Sequence, residues 1–285
     1  MIQSFKDEFE TQENKTYATP AETGTTLRRV KNGTVMEMSK QKKYRSGTGK
    51  LLHMMRWSRP DILNAVRELS KHMKEANFVH YKAMHRVMEY VVETPKRGLT
   101  LAPNGVWDGS KDFEFIVKGY ADSTYASDPD TRLSVGGRSV FLNDAPVSVK
   151  SSQQTTMTLS SAESELMSGT SCAQDMLYTC RILESLGLKV QKPMTLYVDN
   201  RGAVELANNW TVGGRTRHIE VRQYFLRELK EQNVILTRWI SGDNMCSDYL
   251  TKNLPGAVFE RHIRPFVGED EYYAYKTDNK EVSKQ

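Results

Sequence analysis

A change of hydrophobic period near residue 110 constrains this chain more than any other feature. Ahead of it, apolar residues recur at three- and four-residue steps: Leu51, Leu52 and Met55, then Ile62, Val66, Leu69 and Met73, then Met84, Val87, Met88 and Val91. That spacing predicts two or three amphipathic helices, the second opening at Pro60-Asp61 and the third broken at Thr94-Pro95. The methionines among these positions read as core. Beyond the turn-rich stretch 98–110 (GLTLAPNGVWDGS) the period becomes two. Phe113, Phe115 and Val117 alternate toward Gly119-Tyr120-Ala121-Asp122, which predicts a strand ending at a carboxylate.

The rest of the chain extends this pattern. Val135 to Leu142 and Pro146 to Lys150 read as two strands joined by a turn at Asn143-Asp144. A long helix follows from Ser160 to Leu186, closed by Gly187. Next come a strand from Thr195 to Asp199, a helix from Arg201 to Asn209, a helix over 217–232, a strand from Val234 to Ile240 and a helix from Met245 to Leu254. A strand meander followed by βα units predicts an α/β domain with a mixed five-stranded sheet flanked by helices, preceded by a helical segment. The expected division is a polar, irregular tail over 1–40, helices over 41–100, the α/β domain over 111–267 and an acidic tail from Gly268 to Gln285.

Composition narrows the class. With 38% hydrophobic and 26% charged residues among 285, the chain is neither disordered nor a membrane protein, and no apolar run has the length of a membrane span. The polar first fifteen residues are not a secretory signal. Cys172, Cys180 and Cys246 form no disulfide framework and no paired metal-ligand spacing, so a reducing intracellular compartment is expected. Charge is uneven: residues 1–110 hold 19 Lys and Arg against 12 Asp and Glu, and residues 111–285 hold 21 against 23. A basic front part suits an anion such as nucleic acid, or is a solvated surface. The run Lys40, Lys42, Lys43, Arg45 and Lys50 has the same two readings.

Four acids fall where the predicted elements could gather them: Asp122 at the end of the first strand, Glu165 early in the long helix, Asp199 at the end of the fourth strand and Asp248 early in the last helix. Strand ends in an α/β sheet are the usual place for a site. Clustered carboxylates repel unless paired, hydrogen-bonded or metal-bound, and two divalent ions can activate water and stabilise both oxygens of a phosphodiester displacement. Taken one at a time, each acid is better explained as surface. Asp199 also has a reading as a helix N-cap, and Glu163 competes with Glu165.

Five blocks then carry a resemblance. GYADSTYASDPDTRLSVGGRSVFL, LSSAESELMSG, LYVDNRGAVELANN, RTRHIEVRQYFLREL and SDYLTKNLP resemble, in order, the ribonuclease H domain of copia-type retrotransposon Pol polyproteins. YRSGTGKLLHMMRWSRPDILNAVRELSKHM resembles the end of the reverse transcriptase of the same family, which makes 41–100 its helical remnant. The resemblance implies a ribonuclease H-like fold and hydrolysis of the RNA strand of RNA–DNA hybrids by two Mg²⁺ ions, with Mn²⁺ as a substitute. It carries catalysis and metal binding to Asp122, Glu165, Asp199 and Asp248, with Glu165 preferred to Glu163 for its place before Leu166-Met167. A glutamate between the first two aspartates argues against an integrase. The resemblance also implies an RNA–DNA hybrid as substrate, the polymerase palm of the same polyprotein as a partner, no small-molecule cofactor, and a virus-like particle or the nucleus as the compartment.

Nucleic-acid contacts are expected from Ser123, Ser152, Gln153, Asn200, Arg215, Arg217 and His218. Each has a plainer reading: a connecting loop for 150–156, a helix cap for Asn200 and a helix start for 215–218. Two departures stand out. The loop Ser241-Gly242-Asp243-Asn244 lacks the histidine of many cellular ribonucleases H, which implies slow turnover or a share of the work for Asp243. No Tyr-x-Asp-Asp motif is present, so this sequence holds no polymerase palm. The alternative from another class is a remnant that binds nucleic acid without cutting it.

Overall fold

The structure is a computed structural model that describes residues 1–11, 16–29, 35–105, 107–209 and 220–268. Two compact units divide the chain, one from residues 1–100 with the stretch from Asn253 on, the other Leu101–Lys252.

The first unit is helical. It contains α1 (Ile2–Phe9), α2 (Met38–Trp57), α3 (Leu63–Ser70) and α4 (Phe78–Glu93), and takes its last helix from beyond the second unit, Gly256–Val267, labelled α8 in chain order. The helical periods read from the sequence form α2 to α4, and Leu51, Ile62, Val66, Leu69, Met84, Met88 and Val91 are buried. Two segments differ from expectation. Residues 2–9, read as irregular tail, form a helix because Phe5 and Phe9 lie one turn apart and both are buried. The segment 256–267, read as the end of the α/β domain, packs in the helical unit: Phe259 meets Tyr90 edge-on and Glu260 pairs with Arg97 at 3.0 Å. Beneath that pair lies a buried polar network. Arg59 donates to both oxygens of Asp61 at 2.9 and 2.8 Å, the Tyr90 hydroxyl donates to Asp61, and Arg97 donates to the Tyr90 oxygen. Two guanidinium groups beside one buried carboxylate compensate the desolvation that each would otherwise suffer.

The second unit holds a five-stranded mixed sheet of β2 (Val117–Thr124), β3 (Val135–Leu142), β4 (Ala145–Gln153), β6 (Met194–Val198) and β7 (Ile235–Trp239), in the order β4-β3-β2-β6-β7. β2, β3 and β4 pair antiparallel, and β2, β6 and β7 pair parallel. A separate pair, β1 (Glu114–Phe115) and β5 (Lys189–Val190), takes Phe115 out of the strand in which the sequence placed it. Helices α5 (Ser161–Ser185), α6 (Arg201–Asn208) and α7 (Glu220–Glu231) share a core with Val117, Ala121, Val140, Leu196, Val198 and Ile235. The inward alternation on β2 is what the period-two reading predicts. The sheet is mixed and five-stranded with helices flanking it, the α/β arrangement expected from the sequence. The predicted helix Met245 to Leu254 is instead a short 3₁₀ segment, Cys246–Leu250, which follows another at Gly242–Asn244. Among the described residues, no helix is long and apolar enough to cross a membrane.

Candidate active site

The four acids arrive by different routes. Asp122 lies on β2 opposite Gly137 of β3, and β2 continues two residues past it to Thr124. Glu165 is in the second turn of α5, a helix started by Ser160, whose hydroxyl accepts the Glu163 N–H at 3.1 Å. Asp199 follows the last residue of β6, and Asp248 is on the second 3₁₀ segment.

Asp122, Glu165 and Asp199 each offer an oxygen, all within 4.8 Å of one another. Asp122 is 1% exposed, Glu165 and Asp248 are buried, and Asp199 is half-buried. Glu163 is not in this group. Its carboxylate accepts the Leu159 N–H at 2.6 Å, closing the start of α5, so the structure separates the two glutamates that spacing alone left in competition. The N-cap of α6 is Asn200, not Asp199: the Asn200 side-chain oxygen accepts from the Ala203 N–H at 3.0 Å, which leaves the Asp199 carboxylate available.

Neighbours fix these carboxylates. The Ser123 N–H donates to Glu165 Oε1 at 2.9 Å, while Glu165 Oε2 is buried with no hydrogen-bond partner. The Thr251 hydroxyl donates to Asp122 Oδ2 in a very short hydrogen bond. The Trp239 indole N–H donates to the Asp199 carbonyl at 2.8 Å. Lys252 Nζ lies 2.5 Å from Asp248 Oδ1. Gly137 lets the 3₁₀ segment approach β3, because a Cβ there would sit 2.7 Å from Leu250 Cβ and 2.9 Å from the Ser247 carbonyl.

The electrostatics follow from burial and like charge. Burial first, then Asp248 and Asp199, push the Asp122 carboxyl up to about 7. Burial, then Asp122 and Asp199, push Glu165 well above its ordinary value against the opposing Ser123 N–H. Burial and Asp248 raise Asp199. Burial works to lower the Lys252 ammonium, but Asp122, Asp248 and Asp199 outweigh it and hold it above its usual value. Carboxylates packed this closely favour either protons or a cation. Oxygen-only donors suit a hard divalent ion such as Mg²⁺ or Mn²⁺, and the orphaned Glu165 oxygen is an atom such an ion would satisfy.

The expected nucleic-acid contacts are scattered. Ser123 and Asn200 adjoin the acids, Ser123 with its hydroxyl 2.5 Å from that of Ser164. Ser152 and Gln153 are on β4 and engaged elsewhere: Arg138 reaches Ser152 at 3.4 Å, and Gln153 donates to Asp128 at 2.9 Å. Arg215, Arg217 and His218 lie outside the described residues. The Asp243 loop passes close to Asp199, since a Cβ at Gly242 would come 3.9 Å from Asp199 Oδ2. Sequence reasoning missed Thr251 and Lys252. Their signal was their place three and four residues after Asp248, one turn along.

No family model matches the chain. It is 30% identical over 217 residues to the retrovirus-related Pol polyprotein from transposon RE1 of Arabidopsis thaliana, covering 76% of this chain and 14% of the relative. It is 32% identical, over an equal length, to the corresponding polyprotein from transposon TNT 1-94 of Nicotiana tabacum, covering 16% of it. The chain thus spans about one seventh of the length of these curated relatives. Among solved structures, the N-terminal ribonuclease H domain of a Mycobacterium tuberculosis protein is similar at 13% identity and a TM-score of 0.35, covering 53% of this chain and 98% of that one. The sequence likeness to these retrovirus-related Pol polyproteins extends over three quarters of this chain's residues.

Proposed function

We propose that the Leu101–Lys252 unit is a ribonuclease H, a nuclease that hydrolyses the RNA strand of an RNA–DNA hybrid with divalent metal. The observation that carries this reading is the convergence of Asp122, Glu165 and Asp199, buried or half-buried, with one carboxylate oxygen left unpartnered. These three, joined by Asp248, would hold two Mg²⁺ ions, with Mn²⁺ able to replace them. Bound there, the ions would supply activation of water and stabilisation of charge on the attacking and leaving oxygens.

The residues of the chain itself set the stage. The Ser123 N–H and the Thr251 hydroxyl fix the rotamers of Glu165 and Asp122, so the donor set is built before substrate arrives. Trp239 ties the Asp199 backbone to the end of β7. Ser123 and Asn200, which adjoin the acids, would meet the RNA strand, whose 2′-hydroxyl separates it from DNA. The substrate is then an RNA–DNA hybrid, and the polymerase palm of the same polyprotein is the expected partner, in a virus-like particle or the nucleus.

Cleavage of a hybrid labelled separately on each strand tests the proposal. The expected result is Mg²⁺-dependent cutting of RNA alone, with 5′-phosphate and 3′-hydroxyl ends, abolished by EDTA and by Asp199→Asn. A folded protein that binds hybrid but cuts neither strand would instead support the non-catalytic remnant.

A further inference from the structure

We propose that Lys252 is a positioning residue that serves Asp248 as an internal counter-ion, so that the site takes its first divalent cation at Asp122, Glu165 and Asp199 and admits a second at Asp248 only when the ammonium withdraws. This inference rests on the metal-dependent reading above. Three observations carry it. Among the described residues, the group of acids whose oxygens all lie within 4.8 Å of one another contains three members and leaves Asp248 out. Asp248 is held separately, its Oδ1 2.5 Å from Lys252 Nζ. The two partners are also unequal in exposure, with the Asp248 side chain at 12% and that of Lys252 at 47%, so the carboxylate stays in place while the ammonium has a way out to solvent.

The geometry gives the exchange a direction. Thr251 and Lys252 follow Asp248 on one short turn, Thr251 fixing Asp122 and Lys252 fixing Asp248. A buried carboxylate needs a compensating cation, and either an ammonium or a metal ion meets that need. Both cannot sit on one oxygen, because like charges at contact distance repel strongly in a partly desolvated site. A nucleic-acid phosphate is an alternative partner for the released ammonium, so substrate would help to open the second position.

Titration of the full chain with Mn²⁺, read by calorimetry and by electron paramagnetic resonance of the free ion, tests this without substrate. Wild type should bind one Mn²⁺ and a second much more weakly. Lys252→Met should strengthen the second site by about tenfold or more and the first by less, since Lys252 also acts on Asp122 and Asp199 from beyond its contact with Asp248. Lys252→Arg, which keeps the charge, should behave as wild type, and Asp248→Asn with Lys252→Met should lose the second site. Lys252→Gln replaces the Met variant if that one does not fold. Equal second-site affinity in wild type and Lys252→Met, with the first site intact, overturns the inference and spares the metal reading. Absence of Mn²⁺ binding in both proteins overturns the metal reading and the inference with it.

Discussion

Asp122→Asn should stabilise the metal-free protein near neutral pH, although it removes a proposed ligand. Asp122 is 1% exposed and its carboxyl is pushed from 3.8 up to about 7 by burial and by Asp248 and Asp199. A folded-state value above the unfolded one means that the native state keeps a proton the unfolded chain has lost. The associated stability is fully present below about pH 4 and is lost as pH rises through about 7. At about 1.4 kcal/mol for each pH unit, the metal-free wild type gives up about 3 kcal/mol between pH 5 and pH 7 from this group alone. Asparagine does not ionise, and its amide oxygen still accepts the Thr251 hydroxyl. The variant should therefore exceed wild type by about 3 kcal/mol more at pH 7.5 than at pH 5 in EDTA. Hydrogen exchange of the β2 and β3 amides, corrected for intrinsic rates, reports this unit by itself. Saturating Mg²⁺ should remove the difference by stabilising wild type alone. A variant less stable than wild type at pH 7.5, or a gain equal at both pH values, would refute the account of strained, metal-seeking carboxylates.

The other predictions concern single contacts. Glu163→Ala should cost about 1 kcal/mol of stability through the start of α5 and leave Mg²⁺-dependent RNA cutting near wild type, whereas Glu165→Gln should abolish it; the reverse pattern in a hybrid-cleavage assay would exchange their roles. Gly137→Ala places a methyl group 2.7 Å from Leu250 Cβ and 2.9 Å from the Ser247 carbonyl, so it should cost about 1–3 kcal/mol and slow cutting by displacing Asp248. Unchanged kinetics would show that the segment shifts freely. Asp61→Asn leaves the Arg59 guanidinium, 1% exposed, without its carboxylate, and should lower the stability of the helical unit by about 3–5 kcal/mol in denaturant titration. A loss under about 1 kcal/mol would show that Thr94, whose carbonyl and hydroxyl accept from Arg59 at 3.0 and 2.7 Å, and the Tyr90 ring beside the guanidinium suffice to hold it.

Much of this was legible because side-chain period is a backbone property. The switch from helical to alternating steps marked the two kinds of structure, and the strands containing Asp122 and preceding Asp199 end within a few residues of where they were read. The misreadings have local causes. In α1, Phe5 and Phe9 are the buried apolar positions amid polar residues, too faint a period to read as a helix. In α8, Phe259, Ile263 and Phe266 do keep helical spacing, but Pro255 and Pro265 punctuate the segment and disguise it. Asp248 was expected in a helix over Met245 to Leu254, while the backbone around it takes the tighter 3₁₀ form over Cys246–Leu250. Contacts that depend on tertiary approach left no periodic trace: the Ser123 N–H on Glu165, Thr251 on Asp122, and the burial of Arg59 with Asp61. Spacing alone left Glu163 and Glu165 in competition, and only the resemblance preferred Glu165. Both lie near the start of α5, and only the hydrogen bond from Leu159 shows that Glu163 is already engaged there.

The most direct test of the account is diffraction at the manganese edge from crystals of the chain soaked in Mn²⁺. The account predicts an anomalous peak bounded by the carboxylates of Asp122, Glu165 and Asp199, lost in Asp199→Asn crystals. Saturating Mn²⁺ with no peak among those three groups, in crystals whose carboxylates keep the positions described, would contradict it.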